Sequence, residues 1–255
     1  MEAGKIAIVM GGTSGIGLAT ARVLVDSGAR VVVAGRDRER GERAARELGG
    51  RAHYVQADVA LATDVAAAVH AAVSRWGRLD WAVNAAALGD LRPARVADIA
   101  EDDWDRTIAA DLKGAWLCLK HEIAAMTQTG GGAIVNVSSV NGLSGTPTAA
   151  AYCAAKHGMH GLSKTAAMEY AAEGIRVNVV CPGAHRTPML QGVFEIMKPG
   201  APEQAEALYR ARIPAGRIGE PVECARAIAW LLSDAASYVN GAVLTVDGAL
   251  AAGQA

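Results

Sequence analysis

The chain has no run of basic residues interleaved with aromatics, no apolar segment long enough to cross a bilayer, and no C-x-x-C pair. Each absence removes a class of function. The 25 basic and 26 acidic residues nearly cancel, so nothing in the charge pattern tracks a phosphate backbone and nucleic acid is not an expected partner. The short apolar run that starts near Ile6 stops at Gly11. No signal peptide and no membrane span are therefore expected, and the expected location is the cytosol, in the cytoplasm. Cys118, Cys153, Cys181 and Cys224 are widely separated, which argues against both a zinc site and a disulfide framework and leaves free thiols as the expectation. Internal repeats and low-complexity tracts are also missing. A chain of 255 residues suits one large α/β domain, spanning 1–255, better than two domains that each need a core.

What the chain does contain is alternation. Short β-branched runs at 5–10, 30–34, 52–56, 79–84, 132–137, 175–180 and 242–246 predict strands. Longer Ala-, Leu-, Arg- and Glu-rich stretches at 15–27, 38–48, 62–76, 102–128, 150–173 and 221–233 predict helices between them. This is the pattern of β-α-β units building a doubly wound, seven-stranded parallel sheet flanked by helices. In such a sheet, ligands bind outside the carboxyl ends of the strands, where the winding reverses. One long stretch, 187–219, carries Pro188, Pro199, Pro202 and Pro214. It reads as an irregular, flexible lid rather than a connector. Its Met189, Leu190, Val193, Phe194, Ile196 and Met197 are expected to line a pocket for a substrate with an apolar body.

Gly11, Gly15 and Gly17 stand between a predicted strand and a predicted helix. Bare backbone there, with Thr13, Ser14 and Ile16, lets a pyrophosphate approach a helix N-terminus. Asp58-Val59 follows the third strand. The carboxylate can accept from an adenine amino group or cap the next helix, and the two roles are compatible. At the end of the second strand, Gly35 stands where a carboxylate would hold both ribose hydroxyls, and Arg36 supplies a cation that favours a 2′-phosphate. The expected cofactor is NADP, with NAD as the alternative. Asp37 beside Arg36 weakens the field, and a plain surface arginine is the competing reading.

Tyr152 and Lys156 lie four residues apart in a predicted helix, so an ammonium can stand beside a phenol and favour phenolate. That makes the tyrosine a usable general acid and base.

With these residues in hand, the chain resembles the short-chain dehydrogenase/reductase family from Lys5 to about Gly248. The glycine turn, Asp58-Val59, Asn84-Ala85-Ala86-Ala87, Ser139, Tyr152 with Lys156, and Pro182-Gly183 followed by Thr187 carry the resemblance. It implies a Rossmann-like domain that moves hydride between a nicotinamide cofactor and a secondary alcohol or ketone. By that resemblance Tyr152 is the acid/base and Ser139 bonds the substrate oxygen, with Ser138 as the rival on the opposite strand face. Lys156 would bind the nicotinamide ribose and lower the phenol's pKa. Asn84 belongs to the cofactor bed, and Pro182, Gly183, the backbone near His185 and Thr187 would hold the carboxamide. A homo-oligomer, dimer or tetramer, is implied as well.

Five positions depart from the family. Met10 replaces a threonine, and Ala85 to Ala87 replace Asn-Ala-Gly, which removes ties between strand ends. Asp111 stands where the family has a helix asparagine that serves a proton relay; it is read either as part of that relay or as an exposed or capping residue. His185 replaces an aliphatic residue and is open between substrate contact, phosphate contact and solvent. His157 and His160 sit three residues apart without a partner at ligand spacing, so no metal is expected and a core or subunit-contact role is preferred. The alternative to an enzyme is a catalytically silent, dinucleotide-sensing protein of the same fold.

Overall fold

The computed structural model describes residues 4–89 and 92–253. Its sheet has seven parallel strands in the order β3-β2-β1-β4-β5-β6-β7. These are β1 Ile6–Met10, β2 Arg30–Gly35, β3 Ala52–Gln56, β4 Trp81–Asn84, β5 Gly132–Val137, β6 Ile175–Pro182 and β7 Val243–Val246. Strand β1 is the reason the sheet is doubly wound. All five of its residues are buried, and their period of two divides the core. Ile6, Ile8 and Met10 face helices α3 (Ala62–Trp76), α5 (Gly114–Thr127) and α6 (Ala150–Tyr170). Ala7 and Val9 face α1 (Gly15–Asp26) and α9 (Pro221–Leu232). The winding reverses at β1, which pairs Met10 with Ala34 on one side and with Asn84 on the other. The crevice at the carboxyl ends of β1 and β4 is thus a ligand-binding position of the fold.

Two predicted stretches differ. The helix expected over 102–128 is α4 (Glu101–Ile108), a π-helical turn Ala109–Lys113, and α5. The extra residue of that turn swings Asp111 inward, where its Oδ1 accepts from Leu88 N at 2.7 Å. Gly114 then passes Val59 so closely that a Cβ would stand 3.0 Å from a valine methyl.

The stretch 187–219, expected to be irregular, contains α7 (Pro188–Met197) and α8 (Pro202–Arg212). Proline breaks a helix only in its interior. Pro188 and Pro202 occupy first-turn positions, where the missing N–H has no partner to lose and the fixed φ suits the helix. Thr187 caps α7, its hydroxyl accepting from Leu190 N at 3.2 Å. Phe194, Ala205, Ile213 and Ile218 form a small core of their own, with Phe194 edge-on to Tyr209 at 5.4 Å. Phe194 and Leu190 therefore turn toward that core, while Ile196 and Met197 are exposed.

Candidate active site

The glycine turn fits a dinucleotide. A Cβ on Gly11 would lie 2.6 Å from Ala86 N, and a Cβ on Gly17 would collide with the Gly11 carbonyl. Gly11 and Gly15 have φ of +78° and +52°, in the left-handed region that favours glycine. No side chain caps α1 at Ser14 and no acid occupies its first turn, so the amides at Gly15, Ile16 and Gly17 face the crevice with a helix dipole behind them. Thr187 lies across this turn, its methyl 3.3 Å from where a Gly15 Cβ would be. Thr13 is buried under the end of β2.

Asp58 does not cap α3, whose N-cap is Leu61. Its Oδ1 instead accepts from Ala60 N at 2.9 Å, and its own N–H donates to Asp64 at 3.0 Å. That turn holds the Asp58 carboxylate at the rim and sets Val59 against Gly114. At the other end of the crevice Gly183 runs against β7, where a Cβ would meet Asp247 at 2.7 Å. His185 is buried rather than solvent-facing. Its backbone bridges to Gly219 and its ring packs against that residue; burial lowers its pKa.

Ser139, Tyr152, Lys156 and Asp111 converge. Ser139 follows β5, its hydroxyl accepting from Asn141 N at 3.1 Å and acting on the nearby Tyr152 phenol, while its neighbour Ser138 points the other way, into α6, and bonds the Lys156 carbonyl at 3.2 Å. The alternation of strand faces thus separates the two serines. Lys156 is fully buried; its Nζ donates to Val137 O at 3.3 Å and lies 5.4 Å from the Tyr152 ring centroid.

The protonation landscape differs from the sequence expectation in one respect. Burial pushes the Tyr152 phenol well up, and the Asp111 charge pushes it the same way, against the hydrogen bond from Ser139. Burial also lowers Lys156, against the Asp111 charge, and raises Asp111, against the Lys156 charge. Phenol, ammonium and carboxyl therefore titrate as one coupled set. Asp111 is neither exposed nor a helix cap: its Oδ1 ties down the loop after β4, and its Oδ2 is buried without a partner among the described residues. With Ala85 N donating to Met10 O at 2.9 Å, this tie joins the strand ends without the threonine and asparagine expected there.

Beneath the site, sequence reasoning had no signal for a buried amide relay. Asn84 Nδ2 donates to Glu122 Oε2 and to Asn136 Oδ1, both at 2.9 Å, and Asn136 Nδ2 donates to Ser163 at 2.8 Å. Burial pushes the Glu122 carboxyl from 4.5 up to about 7, against the Asn84 hydrogen bond. A raised native pKa stabilises the fold below the unfolded value, and that benefit is lost as pH rises toward 7. The unfolding free energy of the wild type relative to Glu122→Gln, from urea titrations, is expected to fall between about pH 4.5 and 7 by on the order of 3 kcal/mol. A pH-independent difference would contradict the buried neutral carboxyl.

His157 and His160 each spend a ring nitrogen on the protein, and no group of three or more metal-ligating side chains stands among the described residues. Each ring nitrogen in contact has a protein partner, Cys153 O for His157 Nδ1 at 2.8 Å and Ser138 Oγ for His160 Nε2 at 2.9 Å.

Comparison with known proteins gives this geometry a family. The family model described as enoyl-(acyl carrier protein) reductase matches residues 11–250. The cis-4-hydroxycyclohexanecarboxylate dehydrogenase of Sinomonas cyclohexanicum is 44% identical over 249 residues, covering 96% of this chain and 95% of that protein. The crystal structure of levodione reductase matches with a TM-score of 0.95 at 32% identity, over 99% of both chains. A variant actinorhodin polyketide ketoreductase crystallised with NADPH matches with a TM-score of 0.92 at 36% identity, over 97% of both chains. Similarity of this extent, joined to the Rossmann sheet and its crevice, means that the chain belongs to the short-chain dehydrogenase/reductase family and is an NAD(P)-dependent oxidoreductase of CH–OH and C=O groups.

Proposed function

We propose that the enzyme interconverts a secondary alcohol and a ketone on an apolar, alicyclic body, with NADP(H) as the preferred cofactor. The convergence of Ser139, Tyr152, Lys156 and Asp111 at the end of the crevice carries this reading. The cofactor, when bound, supplies or accepts the hydride. Ser139 holds the substrate oxygen, and Tyr152 gives or takes its proton. Lys156 holds the nicotinamide ribose and favours phenolate by its charge. Asp111, with Oδ2 free on the protein side, passes protons toward Lys156. Pro182, Gly183, the His185 backbone and Thr187 hold the carboxamide, and Gly11 through Gly17, Asp58, Val59 and Asn84 hold the remainder. The cyclohexane ring in the name of the Sinomonas relative, together with half-buried Met189 and Val193, supports the alicyclic body.

The NADP preference rests on three contacts. A Cβ at Gly35 would stand 2.9 Å from the Thr13 side chain, so no ribose-holding acid fits there without a shift. Asp37, which the sequence sets beside Arg36, is occupied elsewhere: it caps α2 (Arg38–Leu48), accepting from Arg40 N at 2.9 Å and pairing with the Arg40 guanidinium at 3.2 Å. Arg36 is exposed past the end of β2; its charge also lowers the Asp111 carboxyl, as a smaller influence after burial, Lys156 and the Leu88 amide. Arg36→Asp is expected to lower the NADPH-over-NADH ratio of kcat/KM by more than about tenfold, the cost of losing a charge-assisted phosphate contact. A native preference for NADH, or an unchanged ratio, would contradict the NADP reading.

The proposal includes a homo-oligomer, dimer or tetramer, in the cytosol. Trp104 on α4, Trp116 on α5 and Met168 on α6 are 40%, 44% and 83% exposed, more apolar surface than one helix layer ordinarily leaves in water. The four cysteines are free and buried.

A further inference from the structure

Behind the reacting face lies a polar cluster that the proposed chemistry does not use. The Ser138 hydroxyl lies 3.2 Å from the Lys156 carbonyl and 2.9 Å from His160 Nε2. The same nitrogen is 3.3 Å from Cys181 Sγ. All three side chains are buried. The turn that follows Ser139, Val140–Gly142, packs directly on the pair: a Cβ at Gly142 would come within 2.7 Å of Ser138 Oγ and 2.8 Å of His160 Nε2. One imidazole on α6 therefore touches the ends of β5 and β6 and the turn between Ser139 and the rest of the site.

The Ser138 hydroxyl has one proton and two neighbours that accept it, so either it donates to the Lys156 carbonyl and Nε2–H donates to Oγ, or it donates to Nε2; the bond to His160 forms in both tautomers. Burial keeps the ring neutral, and His157, Lys164 and Lys156 on the same helix act in the same direction; Ser138 from β5 and Cys181 from β6 are the groups that face it across the cluster.

We propose that His160 is a positioning residue: the bond between its Nε2 and Ser138 fixes that residue, and through it sets where the next residue, Ser139, stands relative to Tyr152. This rests on the roles proposed for Ser139 and Tyr152. Tyr152 and Lys156 ride on the same helix as His160, so the bond to Ser138 couples the helix that carries the acid to the strand end that carries the substrate-holding serine. A misplacement of one ångström at a reacting group costs on the order of 10²-fold in rate.

The test compares His160→Phe, His160→Gln, Ser138→Ala and the double variant His160→Phe/Ser138→Ala in steady-state kinetics, with nucleotide titration and thermal midpoints alongside. His160→Phe is expected to lower kcat about tenfold or more while nucleotide Kd stays unchanged, and His160→Gln, which restores an N–H near the Nε2 position, to recover most of the loss. Ser138→Ala should match His160→Phe, and the double variant should be no worse than either, since both remove one interaction. Undiminished kcat in folded His160→Phe, no recovery in the Gln variant, or multiplicative losses would overturn the proposal. Should the Phe variant fail to fold, Ser138→Ala decides alone: wild-type kcat there overturns it. An inactive wild type would overturn the roles on which the proposal rests, whereas an active wild type with indifferent variants overturns the positioning role only.

Discussion

Replacing Tyr152 by phenylalanine is expected to lower kcat by at least ~10²–10⁴-fold, the range for loss of a general acid/base. Nucleotide affinity should stay close to the wild-type value. The substitution keeps the ring that packs beside Lys156 and removes one oxygen, the phenol's. Burial and Asp111 hold that phenol protonated in the free site, so ketone reduction starts with the proton in place. Alcohol oxidation needs phenolate and should show the steeper rise with pH. Parallel pH–rate profiles in the two directions check this; a variant with near wild-type turnover would remove Tyr152 from the chemistry.

Lys156→Met should lower kcat by ~10²-fold or more, the scale of a lost electrostatic contact in a closed site, and should weaken nucleotide binding as well. Methionine fills the space of the lysine stem, and the fold loses a buried ammonium whose partner is a carbonyl 3.3 Å away, so the variant should remain folded. The loss of charge acts on both neighbours. It removes the one influence of Lys156 that holds the Asp111 carboxyl down, and it takes a cation from beside the phenol. Residual alcohol oxidation should therefore require higher pH than in the wild type. An unshifted profile would show that Lys156 does not tune Tyr152.

The sheet was legible because a parallel strand buried on both faces must be a nearly continuous apolar run, and Ile6 to Met10, Val31 to Ala34 and Ile134 to Val137 are such runs. The separation of Ser138 from Ser139 was legible for a related reason: neighbours on a strand point to opposite faces. The π-helical turn was not. It goes with a bond from Leu88 N to Asp111, 23 residues apart in sequence, and no helical periodicity records it. The helices of 187–219 were hidden by reading proline as a breaker without asking where in a helix it falls. Burial likewise decided what charge alone had suggested for Tyr152: enclosure, with the Asp111 charge beside it, raises the phenol. Glu122 had no sequence signal, and His160, expected in the core or at a subunit contact, gave no sign of its partner, since each is defined by a residue on or beside the central strands.

The most direct test mixes the purified enzyme with oxidised NADP and a panel of alicyclic secondary alcohols and follows the absorbance of reduced nicotinamide, with Tyr152→Phe run beside it. The account predicts one reduced nicotinamide formed per alcohol oxidised to ketone, at a rate that falls by at least ~10²-fold in the variant. Nucleotide binding seen by fluorescence without turnover of any panel member, or turnover that Tyr152→Phe leaves intact, would contradict it.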